Sequence, residues 1–451
     1  MPIKNFQYGT DRLTLGSILA LTSGRMHATL SAKIRHKIDR SATFAKEVIF
    51  QSETTNNTQN DRVRKRDAMN EDIPFPPLPL PIAKTMMIMK VQAFAQGYSG
   101  VELRTLERII WMTQQDIIPA IPVPTLSDSP GDPTPLTHLF APLVGRGNVY
   151  YKGTVVPTPT ALGTYGMPPL RLHPTENLAL HNGISFLAAQ AVHLLSRLHN
   201  ALEVADLAGA ISLEGLMGSY KPFEARLYEI RTHPGNQLVA HRLWELLHTS
   251  EIANSNPNTR PAENPKALRS MPQIHGASRT AWLYLKELTE IEINVINSGN
   301  VQSQPLTMAI HYAAATAMEL RKISGRRIQL ITLRQSPLPE GTGHKKNAAG
   351  VNELNQVIDE LEQTLATELV VATQALEARR PLRSSDVLEA CYALVKEAML
   401  PTGTDAPPTP GDTIQKIRQL ISSGRLLKES KRTAKASGYH LNKDIFEAFE
   451  I

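Results

Sequence analysis

The feature that most constrains the fold is a set of apolar residues between Asn177 and Gly218 whose spacing is close to three and four positions. Its members are Leu178, Leu187, Ala191, Leu194, Leu198, Leu202 and Ala205. This spacing puts the side chains on one face of a helix about forty residues long. In water such a helix is stable only when other helices cover its apolar face. The run therefore predicts a mainly α chain folded as an elongated helical bundle.

Further helical patterns support a bundle. They run over Ala277–Asn294, Pro305–Leu333, Glu353–Ala378 and Asp386–Ala398. We divide the chain into an N-terminal helical domain at 1–175, a long central helical bundle at 176–400, and a C-terminal linker with a basic tail at 401–451. The tail from Lys428 to Lys435 is rich in like charges, so we expect it to be loose.

Composition narrows the classes of function. The chain has 451 residues and a net charge of +6, with its charges spread thinly, so we expect no nucleic-acid partner. It lacks a stretch of about 18 uncharged apolar residues, and we expect no membrane association. Cys391 is the single cysteine, which suits a reducing compartment and predicts a cytoplasmic protein. No pair of histidines or carboxylates has metal-ligand spacing, so we expect no metal.

Several separated motifs resemble one enzyme family. The segment at 125–138 contains Asp128-Ser-Pro-Gly-Asp-Pro-Thr-Pro-Leu-Thr-His, and later segments read Leu172-His-Pro-Thr-Glu-Asn-Leu-Ala-Leu-His-Asn-Gly and Leu268-Arg-Ser-Met-Pro-Gln. Together with Lys90-Val-Gln-Ala-Phe-Ala-Gln-Gly-Tyr-Ser-Gly, they resemble, in order, motifs of the histidine and aromatic amino acid ammonia-lyases. The resemblance implies fumarase/aspartase-like central helices and a homotetramer whose active sites each draw on three subunits.

The loop that supplies the family's electrophile is altered. In the family an Ala-Ser-Gly triplet cyclises and dehydrates to methylidene-imidazolone (MIO), and the matching residues here are Ser129, Pro130 and Gly131. Proline has no hydroxyl to lose, and its ring fixes φ. We therefore predict that MIO is absent and that the protein has no cofactor.

Part of the family's substrate site is retained. The resemblance places Asn182 at the asparagine that contacts electrophile and substrate, and Arg269 at the arginine that holds the substrate carboxylate. A guanidinium fork matches the two oxygens of a carboxylate. Asn300 and Gln304 match polar positions near the pocket. These four residues predict binding of a small carboxylate-bearing molecule.

The family's proton-transfer residues are replaced. Ile49 falls at the position of the likely base, a tyrosine, and Asp67 falls near a histidine. Lys266 stands at a second tyrosine, and His344 and Lys345 stand where glutamine and glutamate are expected. We treat Asp67, Lys266, His344 and Lys345 as candidate catalytic residues. A lysine can act as a base when it is desolvated, although loop lysines are more often solvated.

Two functions remain open. The first is a MIO-independent lyase-type or acid–base enzyme that acts on a small amino-acid-derived or carboxylated substrate. The second is a catalytically inactive homologue that serves as a binding or scaffold subunit, in a hetero-oligomer with an intact lyase. The loss of both the electrophile and the base is compatible with either function. The retention of Arg269 together with new ionisable residues favours the enzyme.

Overall fold

The helical prediction is confirmed by a computed structural model that describes residues 5–52, 77–122, 134–230, 232–255, 264–294, 303–333, 350–400 and 409–441. The N-terminal helices are α1 (Leu15–Thr22), α2 (Ala32–Ser52), α3 (Leu80–Ala95), α4 (Leu103–Gln114), α5 (Thr134–Phe140), α6 (Thr158–Gly163), α7 (Pro174–His181) and α8 (Ser185–Gly215). The later helices are α9 (Pro234–Leu247), α10 (Glu251–Asn254), α11 (Lys266–Arg269), α12 (Met271–Glu292), α13 (Gln304–Leu333), α14 (Val351–Glu377), α15 (Asp386–Met399), α16 (Pro410–Ser422) and α17 (Arg425–Ser437). Short 3₁₀ turns occupy Ala141–Val144, Lys221–Phe223 and Ala225–Tyr228.

Strands are few and short in the described part of the chain. β1 (Asn5–Gln7) and β2 (His27–Thr29) pair in parallel, with Phe6 opposite Ala28. β3 (Ile118–Pro119), β4 (Asn148–Tyr151) and β5 (Thr154–Pro157) form an antiparallel sheet in that order. Because β4 and β5 are joined by a tight turn, they form a hairpin beside the N-terminal helices.

The chain divides into two compact units. The first contains Met1–His193 and Glu287–Leu306, and in it α3 packs against α1, α2 and α4. Backbone N–H groups of Leu13 and Leu15 donate to the side chains of Asn294 and Glu290, which join the start of α1 to the end of α12. The second contains Leu194–Lys286 and Thr307–Glu447, with α14, α15, α16 and α17 packed on one another.

The predicted single helix from Asn177 to Gly218 is wrong in one respect, because the structure breaks it after His181. Asn182 has an extended backbone, with φ −101° and ψ 147°, and Gly183 has φ +118°, a value that L side chains rarely adopt. Two helices, α7 and α8, result. The break is produced by Gly183, and it sets the Asn182 peptide apart from both helices.

The expectation of a loose basic tail is also wrong. Residues 425–437 form α17, whose Leu426, Ser430 and Ala434 are buried at intervals of four. This face packs against α15, and the Ser437 hydroxyl donates to Asp386 at 2.9 Å. Charged side chains project from the other face, so the charges that suggested disorder belong to the solvated side of an amphipathic helix. The preceding helix, α16, begins with a capping box between Thr409 and Asp412.

A buried ionic network fills the interior of the second unit. Arg279 bonds to Asp206 at 2.8 Å and to Glu203 at 3.0 Å, and Arg242 reaches the same two acids. Burial alone would raise the pKa of Asp206, but Arg279, His275 and Arg242 outweigh it and hold the pKa below its ordinary value. Removal of any one member leaves an unpaired buried charge.

His275 joins this network to a second ion pair. Its Nδ1–H donates to Asp206 at 2.8 Å, and its Nε2 accepts from Arg327 at 3.4 Å, which requires the neutral ring. Burial lowers the pKa of His275 despite its acidic partner. Arg327 in turn pairs with Glu368, whose carboxylate also accepts from Ser212.

By length and composition alone, the helical stretch Pro174–Gly215 is apolar enough to cross a membrane. The same stretch carries Glu203 and Asp206, both buried and both paired with arginines of other helices. A helix that satisfies its charges in this way is typical of the core of a bundle.

Candidate functional site

The structure describes four of the predicted site residues. Asn182 and Gln304 belong to the first unit, and Lys266 and Arg269 belong to the second. The other predictions lie outside the described residues; they concern Asp67, Asn300, His344, Lys345 and the triplet Ser129, Pro130 and Gly131. Each part of the site is therefore described within its own unit.

Lys266 and Arg269 lie at the two ends of α11, a single turn of helix. Between them Ala267 and Leu268 point inward and are buried, so both cations emerge on the exposed side. Residues three apart are neighbours on a helical surface. The sequence pattern of two buried apolar residues flanked by cations thus places two positive charges side by side.

Asn264 fixes this turn to the rest of the second unit. Its side-chain oxygen accepts from the Ser219 N–H at 3.0 Å, and its amide donates to the Ser219 carbonyl at 2.7 Å. Both bonds are buried, so they hold α11 beside the segment that follows α8. Sequence reasoning did not single out Asn264, although it begins the same motif as Lys266 and Arg269.

The two cations line a pocket of about 430 Å³ together with residues from a neighbouring segment. Among the described residues, the lining is Pro222, Leu227, Tyr228, Lys266, Arg269, Ser270 and Gln273. The segment 222–228 therefore contributes largely apolar groups, and the segment 266–273 contributes two cations, an amide and a hydroxyl. Within the described ranges, neither Lys266 nor Arg269 forms an ion pair with a protein carboxylate.

Tyr228 supplies an apolar surface and no proton transfer. Burial raises its pKa to about 12, and its hydroxyl donates to the Pro222 carbonyl at 2.9 Å. A phenol with this pKa stays protonated at neutral pH. The pocket can hold an anion on its polar wall and a carbon chain against Tyr228, Leu227 and Pro222.

Asn182 lies at the end of α7, where the buried Lys90 holds the backbone. The Lys90 ammonium donates to the Ala179 carbonyl at 3.2 Å and to the Asn182 carbonyl. It also lies 5.3 Å from the ring centre of Phe94, and Phe140 is near it. Burial among these groups lowers the pKa of Lys90 to about 7. Lys90 therefore positions the Asn182 peptide.

The other end of α7 is held by a buried carboxylate. Glu176 accepts from the Thr105 hydroxyl at 2.7 Å and from the backbone N–H groups of Glu102 and His173. Together with Lys90, it fixes the helix at both ends. The resemblance could have drawn attention to Lys90, which begins one of the family motifs, but its role depends on contacts with residues about ninety positions away.

Two further positions complete the first unit's part of the site. Helix α5, which follows the altered triplet, packs against α7 and carries His138, whose pKa is lowered by burial. Gln304 is exposed as the first residue of α13. The adjacent Ser303 is buried and donates to Glu292, which ties the start of α13 to the end of α12.

Comparison with known proteins identifies the family. A family model for aromatic amino acid lyases matches residues 50–348. Histidine ammonia-lyase of Myxococcus xanthus (strain DK1622) is 31% identical over 410 residues, which span 78% of this chain and 80% of the relative. The chain belongs to the aromatic amino acid lyase family.

Solved structures confirm the fold. Histidine ammonia-lyase from Trypanosoma cruzi superposes with a TM-score of 0.79 at 22% identity, covering 95% of this chain and 96% of that chain. The ergothioneine-degrading ergothionase from Treponema denticola has a TM-score of 0.80 at 16% identity, covering 94% of this chain and 100% of that chain. The mainly helical fold is therefore that of the ammonia-lyases.

Metal ligands do not gather in the described part of the chain. Within it, no group of three or more His, Cys, Asp and Glu side chains is arranged to hold an ion. The acids Glu203 and Asp206 are instead engaged by arginines.

Proposed function

We propose that this protein is a lyase-type enzyme that acts on a small amino-acid-derived or carboxylated substrate without forming MIO. The observation that carries the proposal is the exposed Arg269, which pairs with no carboxylate of the described residues, in a pocket large enough for such a molecule. A guanidinium binds a carboxylate through two parallel hydrogen bonds. Membership of the aromatic amino acid lyase family supports the same class of substrate.

The absence of MIO follows from the composition of its precursor. The exocyclic methylene forms when a serine loses its hydroxyl, and Pro130 has none. The proline nitrogen also lacks the hydrogen and the freedom of φ that a cyclising triplet needs. Ser129, Pro130 and Gly131 therefore do not fit the group, and no step is assigned to it.

Without an electrophile, an elimination depends on side chains alone. A base takes the proton from one carbon, the C–N bond of its neighbour breaks with its electron pair going to nitrogen, and a C=C bond forms. An acid must protonate the departing amine. The candidates for these roles are Lys266, Asp67, His344 and Lys345, and Asn182 is the proposed amide contact to the substrate.

A scaffold function is the alternative, and the residue that favours it is Ile49 at the position of the family's tyrosine base. Isoleucine cannot accept a proton. In that function the protein binds a carboxylate, or another subunit, without turnover. The fold also supports a homotetramer, and a hetero-oligomer with an intact lyase is the form that a scaffold would take.

Two measurements test the proposal. Intact-mass analysis should give the encoded mass, and a deficit of two water molecules within 129–131 would show that MIO forms. Calorimetry with amino, imino and unsaturated carboxylic acids should then detect a ligand, and Arg269→Ala should weaken its binding by about 2 to 4 kcal/mol.

Turnover separates the enzyme from the scaffold. NMR of the bound ligands should show amine release, which His344→Ala or Lys345→Ala abolishes without loss of binding. Binding without turnover by the unsubstituted protein would support the scaffold.

A further inference from the structure

The pocket of α11 contains twice the positive charge that one carboxylate needs. Arg269 and Lys266 both line it, three residues apart on one exposed face. Like charges at this spacing repel and destabilise the turn that holds them. A ligand with two negative groups would relieve that repulsion, whereas a monocarboxylate would leave one cation unmatched.

The second charge is a departure of this chain from its family motif. Lys266 stands where the motif Asp-x-Tyr-Ser-x-Arg has its tyrosine, in the sequence Asn264-Pro-Lys-Ala-Leu-Arg. The exchange replaces a neutral phenol by an ammonium. Because Asn264 pins the turn through two buried hydrogen bonds, the new charge is held beside Arg269.

The surroundings of Lys266 favour a binding role for its charge. The side chain is exposed and lines the pocket with Arg269, so its ammonium is open to a ligand that Arg269 holds. Besides Arg269, the pocket residues nearest to Lys266 in sequence are Ser270 and Gln273, which are uncharged hydrogen-bonding groups. The remaining described lining residues, Pro222, Leu227 and Tyr228, carry no charge at neutral pH.

We infer that the substrate of this pocket is an acid with two carboxylates, such as an acidic amino acid or a related dicarboxylate, with one carboxylate on Arg269 and the other on Lys266. The carbon chain between the two carboxylates lies against Tyr228 and Leu227. This inference rests on the proposed function, because it assumes that Arg269 binds a carboxylate. It adds the substrate class, which the single arginine alone does not define.

The test compares L-glutamate with L-glutamine, two ligands of the same shape that differ in one negative charge. Calorimetry at pH 7 and low salt should show that the full-length protein binds glutamate about tenfold more tightly, the effect of one added ion pair of roughly 1.4 kcal/mol. Lys266→Tyr, which restores the family residue, should reduce the ratio to near one. Lys266→Arg should keep the preference for glutamate.

Lys221→Met is the matched control, since Lys221 is exposed on the adjacent 3₁₀ turn and does not line the pocket. Its preference for glutamate should equal that of the unsubstituted protein, which excludes a general effect of net charge. Thermal melting should show that all variants are folded, because the substituted side chains are solvent-exposed.

Equal affinities for glutamate and glutamine in the unsubstituted protein would overturn the inference. So would a Lys266→Tyr variant that keeps the full preference. If Arg269→Ala still weakened binding in either case, the proposed carboxylate site would stand without its second charge. No binding of glutamate, glutamine, succinate or butyrate would overturn the inference and the carboxylate site together.

Discussion

Glu214 and Lys90 are buried ionisable side chains, and neither forms an ion pair with another described residue. Glu214 is fully buried in the second unit, where the Ser384 hydroxyl donates to it at 2.6 Å. Burial raises its pKa to about 7, against the hydrogen bonds of Ser250 and Ser384. The folded protein therefore holds this proton more tightly than the unfolded chain does.

We expect Glu214 to make the protein less stable in mild alkali. Its contribution is complete below pH 4.5, the value for an unfolded chain, and is lost as the pH rises through about 7. The full effect is on the order of 3 kcal/mol. Urea unfolding from pH 5 to 9 should show that Glu214→Gln removes this dependence. The exposed Glu287→Gln should retain it, and an unchanged slope in Glu214→Gln would contradict the assignment.

For Lys90 we expect a local effect on α7. Lys90→Met removes the donor to the part-buried Ala179 and Asn182 carbonyls, and we expect the loss of these hydrogen bonds to cost about 1 to 3 kcal/mol. Hydrogen exchange should accelerate over residues 174–184. Lys84→Met is the control, because Lys84 is a buried lysine of the same helix that pairs with Asp116. Equal protection of 174–184 in both variants would argue against the positioning role.

At the residue level, the sequence motif was enough to single out Lys266 and Arg269 as candidate residues, and their roles stay predictions. Arg269 and Lys266 are exposed side by side, as their motif spacing implies for one turn of helix. The sequence did not indicate Lys90 and Asn264, because their roles depend on hydrogen bonds to distant backbone groups, at Asn182 and Ser219. Such contacts depend on tertiary packing, which a local pattern does not contain.

At the level of elements, periodicity predicted helices well and failed at their interruptions. The patterns for α13 and α14 agree with the structure to within two residues. The break at Gly183 was missed because the apolar pattern continues on both sides of it. The sequence pattern did not predict α17, because the helix has few buried residues. The charged residues between Leu426, Ser430 and Ala434 obscure their spacing of four.

The packing of α17 predicts its resistance to proteolysis. Trypsin should cleave slowly after Lys431 and Arg432, since a protease needs an extended backbone and this one is helical. Ala434→Glu buries a charge against α15 and should release the helix, so that cleavage accelerates. The same substitution at the exposed Ala436 is the control and should change little. Equal cleavage of the two variants would show that burial of Ala434 does not hold the helix.

At the scale of the whole molecule, several apolar side chains on the long helices are exposed, and a second subunit could bury them. Met308 and Tyr312, one turn apart on α13, are 64% and 46% exposed, and Tyr284 and Ile291 lie two turns apart on α12 with 46% and 47% exposure. Apolar stripes of this kind on a helix mark interfaces between subunits. They support the homotetramer that the family resemblance implies.

We therefore expect light scattering at micromolar concentration to give a mass of four chains. Met308→Asp combined with Tyr312→Asp should lower it, because each carboxylate would have to be desolvated in an apolar interface. Gln329→Asp, an equally exposed position on α13, adds the same kind of charge outside the stripe and should leave the mass unchanged. If the unsubstituted protein were a monomer, the predicted tetramer would be wrong, and so would the prediction of a site built from three subunits. If the double variant lost the tetramer but still bound the carboxylate, and the Gln329→Asp variant stayed tetrameric, the α11 pocket would bind its ligand within one chain.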